Sequence, residues 1–209
     1  MLAYANDFNK GGKYDYYHWG GITYKMPDSI IVENCSPTLA GIKTGNIFTV
    51  DRSLITDIKK ELCELNKCFT QKGLRVIPLR VSEKNVLLYV YRPDRLKEDL
   101  SCKEARCILL ENGYSCNSIE KDIVHLIHQI HSSKSFPHEI GLFLGYPPVD
   151  VKGFMEDSRK GVKCVGYWKV YGDKEKAEKI FSQYRKCTDV YKRCLSNGKL
   201  LSSMIVRTN

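Results

Sequence analysis

The sequence contains no apolar run long enough to cross a bilayer. Its longest run, Val86 to Tyr91, has the length of a strand and ends at Arg92, whereas a membrane-spanning helix needs roughly 18 or more apolar residues. The first 25 residues also lack the basic start and continuous apolar stretch of a secretory signal. We therefore expect a cytoplasmic protein that does not span a membrane.

The sequence also has no Cys-x-x-Cys pair among its nine cysteines. Three cysteine pairs lie five, five and seven residues apart: Cys63/Cys68, Cys102/Cys107 and Cys187/Cys194. These spacings lack the repeated close pairs of a structural zinc site, so we predict no metal site and, in a reducing compartment, free thiols. No P-loop or dinucleotide fingerprint occurs either, which leaves any cofactor unknown.

The last quarter of the chain has few acidic residues. The net charge of the whole chain is +9. Residues 152–209 hold 14 Lys and Arg against 6 Asp and Glu, a net charge of +8, whereas residues 1–151 are nearly balanced. A concentrated positive field attracts phosphate, nucleic acid or an acidic protein, although a basic helix face is often only solvated.

What is present is an alternation of helical and strand patterns. Helical spacing predicts helices at Ser53 to Phe69, Cys102 to Asn112 behind a Ser101/Glu104 capping box, Ser118 to Ser132, and Lys174 to Leu195. Shorter helices are predicted at Thr38 to Thr44 and within Phe136 to Pro148, although the run from Ile140 to Leu144 also fits a buried strand. Strands are predicted at Ser29 to Glu33, Leu74 to Val81, Val86 to Tyr91, and Cys164 to Tyr171. The middle two strands form a hairpin, in which Pro78 indicates an edge or a bulge.

These elements predict an α/β (α+β) fold, in which a small mixed sheet that includes the hairpin packs with five or six helices. Residues 1–25 show neither periodicity, and we expect a poorly ordered N-terminal extension there. Residues 26–209 are expected to form a single domain that ends in a basic helix.

Four segments together resemble a known family. They are the segment from Val32 to Asn46 (VENCSPTLAGIKTGN), the Tyr91-Arg-Pro93 triplet, the segment from Phe136 to Pro148 (FPHEIGLFLGYPP) with Asp150-Val151, and the segment from Gly166 to Asp173 (GYWKVYGD), which continues to Lys186-Cys187. They are similar to a clostridial-type bacterial family known only as domain of unknown function 3793. The resemblance implies no activity, cofactor or catalytic residue.

Cys35 is the candidate for chemistry that the residues themselves suggest. The predicted strand and helix place it at a helix N-terminus, where the helix dipole lowers a thiol pKa. His138 would serve as a base and Glu139 as its orienter, if the two segments meet in the fold. This hypothesis makes the protein a small thiol-dependent enzyme or redox protein. The alternative is that Cys35 is a packing residue.

Two binding hypotheses stand beside the enzyme hypothesis. In the first, the same helix N-terminus binds a small anion or a cofactor without catalysis. Its candidate ligand-binding residues are Ser36, Thr38, Lys43, Thr44 and Arg92. In the second, the basic C-terminal helix is an adaptor surface for an acidic protein or nucleic acid, bound through Arg185, Lys186 and Lys192.

Overall fold

The computed structural model describes residues 18–19, 22–23, 26–133 and 135–207. Most of the N-terminal extension predicted at residues 1–25 lies outside these ranges, so that prediction is not tested. The exceptions are two paired strands, β1 (His18–Trp19) and β2 (Ile22–Thr23).

The described chain forms a mixed α/β fold, which confirms the predicted fold class. Its remaining strands are β3 (Gly45–Asp51), β4 (Arg75–Val81), β5 (Asn85–Tyr91), β6 (Cys164–Val165) and β7 (Lys169–Val170). Its helices are α1 (Asp28–Leu39), α2 (Ile58–Gln71), α3 (Pro93–Ser101), α4 (Lys103–Glu111), α5 (Ile119–Ser132), α6 (Ile140–Phe143), α7 (Pro148–Glu156), α8 (Lys174–Ser196) and α9 (Leu201–Met204). A short 3-10 turn, Arg52–Leu54, follows β3.

The main sheet has three strands in the order β3-β5-β4. Both pairings are antiparallel, so the sheet is not mixed in direction. The predicted hairpin is β4 and β5, and Pro78 lies on the edge strand, where the register shifts. Proline is tolerated there because an edge strand does not need every backbone N–H for pairing.

The central strand β5 is buried on both faces, and successive side chains point to opposite sides. Val86, Leu88 and Val90 join a core with α1, α2, α8 and α9. Leu87, Tyr89 and Tyr91 join a second core with α3 to α7. A third cluster forms between the small β6–β7 hairpin and α8. The sheet is therefore covered by helices on both faces.

The predicted strand at Ser29–Glu33 and the predicted helix at Thr38–Thr44 are wrong, because one helix, α1, runs from Asp28 to Leu39. The β-branched Ile30, Ile31 and Val32 favour a strand locally, but Ile31, Val32, Cys35 and Leu39 lie on one buried helical stripe. Packing of that stripe outweighs the weak local preference.

Three smaller differences also separate the sequence patterns from the fold. Ser101 ends α3 and its hydroxyl donates to the Glu98 carbonyl, so the predicted capping box with Glu104 is wrong. The strand predicted at Cys164–Tyr171 is instead the short β6–β7 hairpin. Strand β3 and helices α3, α7 and α9 were not predicted at all.

Candidate functional site

Helix α1 ends in a Schellman motif at Gly41. The Ile42 amide donates to the Pro37 carbonyl and the Gly41 amide to the Thr38 carbonyl, while Gly41 takes a φ of +76°. This conformation is natural for glycine after a helix. Residues 36–44 therefore form the C-terminal end of a helix and the following loop, not a helix N-terminus.

The electrostatics of this end are the reverse of those the anion-binding hypothesis assumed, because a helix C-terminus presents unpaired carbonyl oxygens and favours cations. Arg92 is buried and supplies such a cation. Its guanidinium donates to the carbonyls of Thr38 and Leu39 at 2.7 and 2.8 Å and to the Val206 carbonyl at 2.7 Å. Through these contacts Arg92 links the end of α1 to the C-terminal segment.

Two more of the predicted ligand-binding residues make internal contacts. The Ser36 hydroxyl donates to the Val32 carbonyl within α1. The Thr38 hydroxyl donates to the Asn46 side-chain oxygen at 2.7 Å. Both Ser36 and Thr38 are completely buried. An anion at the predicted position would have to displace these hydrogen bonds.

Cys35 lies in the interior of α1 and is completely buried in the first core. Burial raises the pKa of its thiol, and the nearby Lys43 charge opposes this only in part. The premise of an activated thiol at a helix N-terminus is therefore wrong. A direct role of Cys35 in catalysis stays a prediction without that support.

The predicted partners of Cys35 pack elsewhere. Glu139 is buried and accepts a hydrogen bond from the Tyr114 hydroxyl at 2.9 Å, and Tyr114 belongs to the second core. His138 is exposed and meets the Phe154 ring edge-on at 4.9 Å between centroids. The structure therefore does not bring Cys35, His138 and Glu139 together in one cluster.

Lys43 is the centre of a different cluster, in the loop between α1 and β3. Only 2% of the residue is exposed. Its ammonium donates to the Gly45 carbonyl, and its Nζ lies 5.3 Å from the centroid of the Tyr146 ring. Burial lowers the pKa of Lys43 to about 7, while the nearby Cys35 and Asp99 raise it in part. Burial consequently favours the neutral form of this amine.

Asp99 on α3 forms the second part of the cluster. It accepts a hydrogen bond from the Thr44 hydroxyl. Burial raises its pKa, although Thr44 and Arg95 oppose that shift. Gly145, with a φ of +75°, packs so closely here that an added Cβ would lie 2.6 Å from the Thr44 hydroxyl oxygen and 3.1 Å from a carboxylate oxygen of Asp99.

The pair formed by Lys43 and Asp99 is bordered by Arg95 and by three aromatic residues, Tyr146, Trp168 and Tyr184. Arg95, one turn before Asp99, donates to the Gly41 carbonyl. The Tyr146 ring stacks on Trp168 at 4.8 Å, and its hydroxyl donates to the Tyr167 carbonyl at 3.2 Å. Burial raises the pKa of Tyr184, on the adjacent α8, to about 12. Arg95, Asp99 and Tyr146 are all half-buried and form the outer side of the cluster.

The four segments that carry the family resemblance meet at this cluster. The first supplies Lys43 and Thr44, and the third supplies Gly145 and Tyr146. The second, Tyr91-Arg-Pro93, leads directly into the α3 turn that carries Asp99, and the fourth supplies Trp168. The sequence patterns did not indicate Arg95 and Asp99. Their only local signal is that two residues of opposite charge lie four positions apart, shortly after Pro93.

The three residues predicted to bind a partner lie on α8. Arg185 and Lys186 are exposed, with no ion pair within the part of the chain that the structure describes. Lys192 pairs with Glu33 of α1 at 2.7 Å. The other outward residues expected from the helical pattern, Lys176, Lys179 and Arg193, are also exposed.

Among the described residues, no group of three or more His, Cys, Asp or Glu side chains is placed to hold a metal ion. The His-rich helix α5 makes other contacts, since His125 packs on the Tyr114 ring and His131 contacts the Leu79 carbonyl. An open hollow lies away from the Lys43 cluster, between the turns at Arg52 and Glu83.

In the part of the chain that the structure covers, no helix is long and apolar enough to cross a membrane. Fold and cluster together define a mixed α/β protein with a buried lysine beside a carboxyl group. The chain belongs to the family described as Protein of unknown function (DUF3793), whose model matches residues 31–205. No curated protein and no solved structure matches the chain.

Proposed function

We propose that this chain is a small enzyme whose reacting group is the ε-amine of Lys43, with Asp99 as its acid–base partner. The supporting observation is the burial of this amine next to a half-buried carboxyl group. Burial favours the neutral amine, which is the nucleophilic form, and it also favours the protonated carboxyl, which can donate a proton. A lysine with a lowered pKa beside an aspartate with a raised pKa is typical of an active site.

This proposal keeps the enzyme class suggested by the sequence but replaces the nucleophile. Cys35 lies too deep in the first core and burial suppresses its thiolate form. Lys43 has two half-buried neighbours, because its Nζ lies 5.3 Å from the centroid of the Tyr146 ring and it interacts electrostatically with Asp99. The lysine therefore combines the better protonation state with half-buried neighbours.

Trace labelling with acetic anhydride over a pH series tests the proposal, because the reagent is small and acylates only neutral amines. Mass spectrometry of peptides gives a separate labelling curve for each lysine. We expect a midpoint near 7 for Lys43, and Lys97, an exposed lysine on α3, serves as the internal reference. If Lys43 stays unlabelled until the protein unfolds, it is a structural residue and the proposal fails.

A second function is favoured by the outer face of α8. Lys179, Lys186 and Arg193 are exposed and seven residues apart, which places them in one row at intervals of about 10.5 Å along a helix. A linear row of cations suits the phosphate backbone of nucleic acid. Trp168 beside the helix and Tyr184 on its inner face are buried, so the described surface offers phosphate contacts here rather than base stacking.

Binding of a fluorescent DNA duplex, followed by anisotropy, tests this second function. Affinity is expected to fall steeply between roughly 50 and 200 mM salt, and Arg185→Glu with Lys186→Glu should abolish binding. Lys59→Glu with Lys60→Glu, on the exposed start of α2, makes the same charge change elsewhere and should leave binding intact. Equal losses in both variants would indicate attraction to net charge alone, and binding only to an acidic protein would replace nucleic acid as the partner.

A further inference from the structure

Two features of the Lys43 cluster restrict what it can accept. The amine is almost fully covered and its neighbours Asp99 and Tyr146 are half-buried, so its substrate has to be a small molecule. Arg95 is the half-buried cation on the outer side of the cluster. One of its guanidinium nitrogens donates to the Gly41 carbonyl, and its charge acts on both Asp99 and Tyr184. A guanidinium in such a place binds a carboxylate well, because several N–H donors point in fixed directions.

From this arrangement we propose that Lys43 forms a Schiff base with a small carbonyl compound that carries a carboxylate, namely a short 2-oxo acid. The proposal rests on the proposed function of Lys43 and names its substrate class. In the bound geometry the carboxylate pairs with Arg95, and the carbonyl carbon faces the Lys43 amine. Asp99 lies beside both residues, one helical turn from Arg95.

The step needs no oxidant or reductant. The Lys43 nitrogen lone pair attacks the carbonyl carbon, and the carbonyl oxygen takes the proton of the Asp99 carboxyl to give a carbinolamine. The Asp99 carboxylate then removes a proton from nitrogen. The C–O bond breaks, the hydroxyl group leaves as water with a proton returned from Asp99, and a C=N bond remains. One carbonyl, one amine and the proton of the Asp99 carboxyl thus give one iminium, one water and the Asp99 carboxylate.

Reductive trapping with sodium cyanoborohydride at neutral pH tests the inference. Glyoxylate is the probe, and acetaldehyde, which has the same carbon skeleton without the carboxylate, is the matched comparison. Mass spectrometry should find the reduced glyoxylate adduct on Lys43, with selectivity over Lys97 on the order of a hundredfold or more, since an ordinary lysine is almost entirely protonated at this pH.

Arg95→Met should reduce the glyoxylate adduct by about tenfold, the loss expected for one charged hydrogen bond, while the acetaldehyde adduct is retained. Retention of the acetaldehyde adduct shows that the variant is folded and that its amine is still reactive. Asp99→Asn should slow both adducts, because it removes the proton donor that both share.

The possible failures are distinguishable. If acetic anhydride labels Lys43 near neutral pH but glyoxylate gives no trapped adduct, the substrate class is wrong and the proposed function of Lys43 stands. Equal trapping of glyoxylate and acetaldehyde, unaffected by Arg95→Met, also overturns the carboxylate requirement. If neither reagent modifies Lys43 in the folded protein, both proposals fail.

Discussion

At the scale of single residues, the buried Lys43 makes stability depend on pH. Its pKa is about 7 in the folded protein and near 10.5 when unfolded, so the unfolded chain binds more protons between these values. The free energy of unfolding therefore rises as the pH increases from about 7 to about 10.5, and the full penalty is present below that window. The penalty is on the order of 5 kcal/mol.

Lys43→Met should remove this slope, because methionine fills a similar volume without a charge. Urea unfolding of the wild type and the variant over a pH series measures it. Lys97→Met, which removes an exposed lysine from α3, should retain the wild-type slope. Parallel curves for the wild type and Lys43→Met would contradict the buried, neutral amine.

Gly145 offers a second test at this scale, because its φ of +75° and its close contacts act separately. Gly145→Ala and Gly198→Ala both put a side chain at positive φ, costing about 1 kcal/mol each. Only Gly145→Ala also drives a methyl group into Thr44 and Asp99, whereas nothing lies within 4 Å of the Cβ position at Gly198. The extra loss, about 1 to 3 kcal/mol, would be read from thermal or urea unfolding, and equal losses would show that the loop yields.

At the scale of elements, two serines that each precede a helical pattern in the sequence have different roles in the structure. Ser118 caps α5 by accepting from the Lys121 amide at 3.3 Å, whereas Ser101 belongs to the end of α3. Ser118→Ala should lower stability by about 1 kcal/mol, and Ser101→Ala should cost much less. A comparable loss at Ser101 would restore the predicted capping box.

The same scale shows which elements local pattern predicts well. Helices α2, α5 and α8 have regular apolar stripes, and the β4–β5 hairpin has a polar turn, so their periodicity alone indicated them. The prediction for α1 was wrong because its β-branched residues favour a strand in isolation. Cys35 was consequently assigned to a helix N-terminus, and the error in one element became an error in the proposed nucleophile.

At the scale of the whole molecule, the C-terminal segment is part of the first core. Ile205 is buried against that core, whereas the adjacent Val206 exposes its side chain and contributes its carbonyl to Arg92. Ile205→Ala should therefore cost about 2 to 4 kcal/mol, and Val206→Ala should change stability little. Denaturant unfolding of the two variants gives the comparison. A small loss of stability in Ile205→Ala would mean that the segment is only loosely attached.

The sequence by itself determined the α/β class, the hairpin with its irregular edge strand, and the outward basic face of α8. These features depend on local periodicity and turn chemistry, which neighbouring residues carry. Only the tertiary structure decided that Lys43 is buried, that Asp99 adjoins it with Arg95 one helical turn away, and that Cys35 and His138 lie apart. Burial and long-range proximity fix these properties, because desolvation and nearby charges, not residue type, set the protonation of each group.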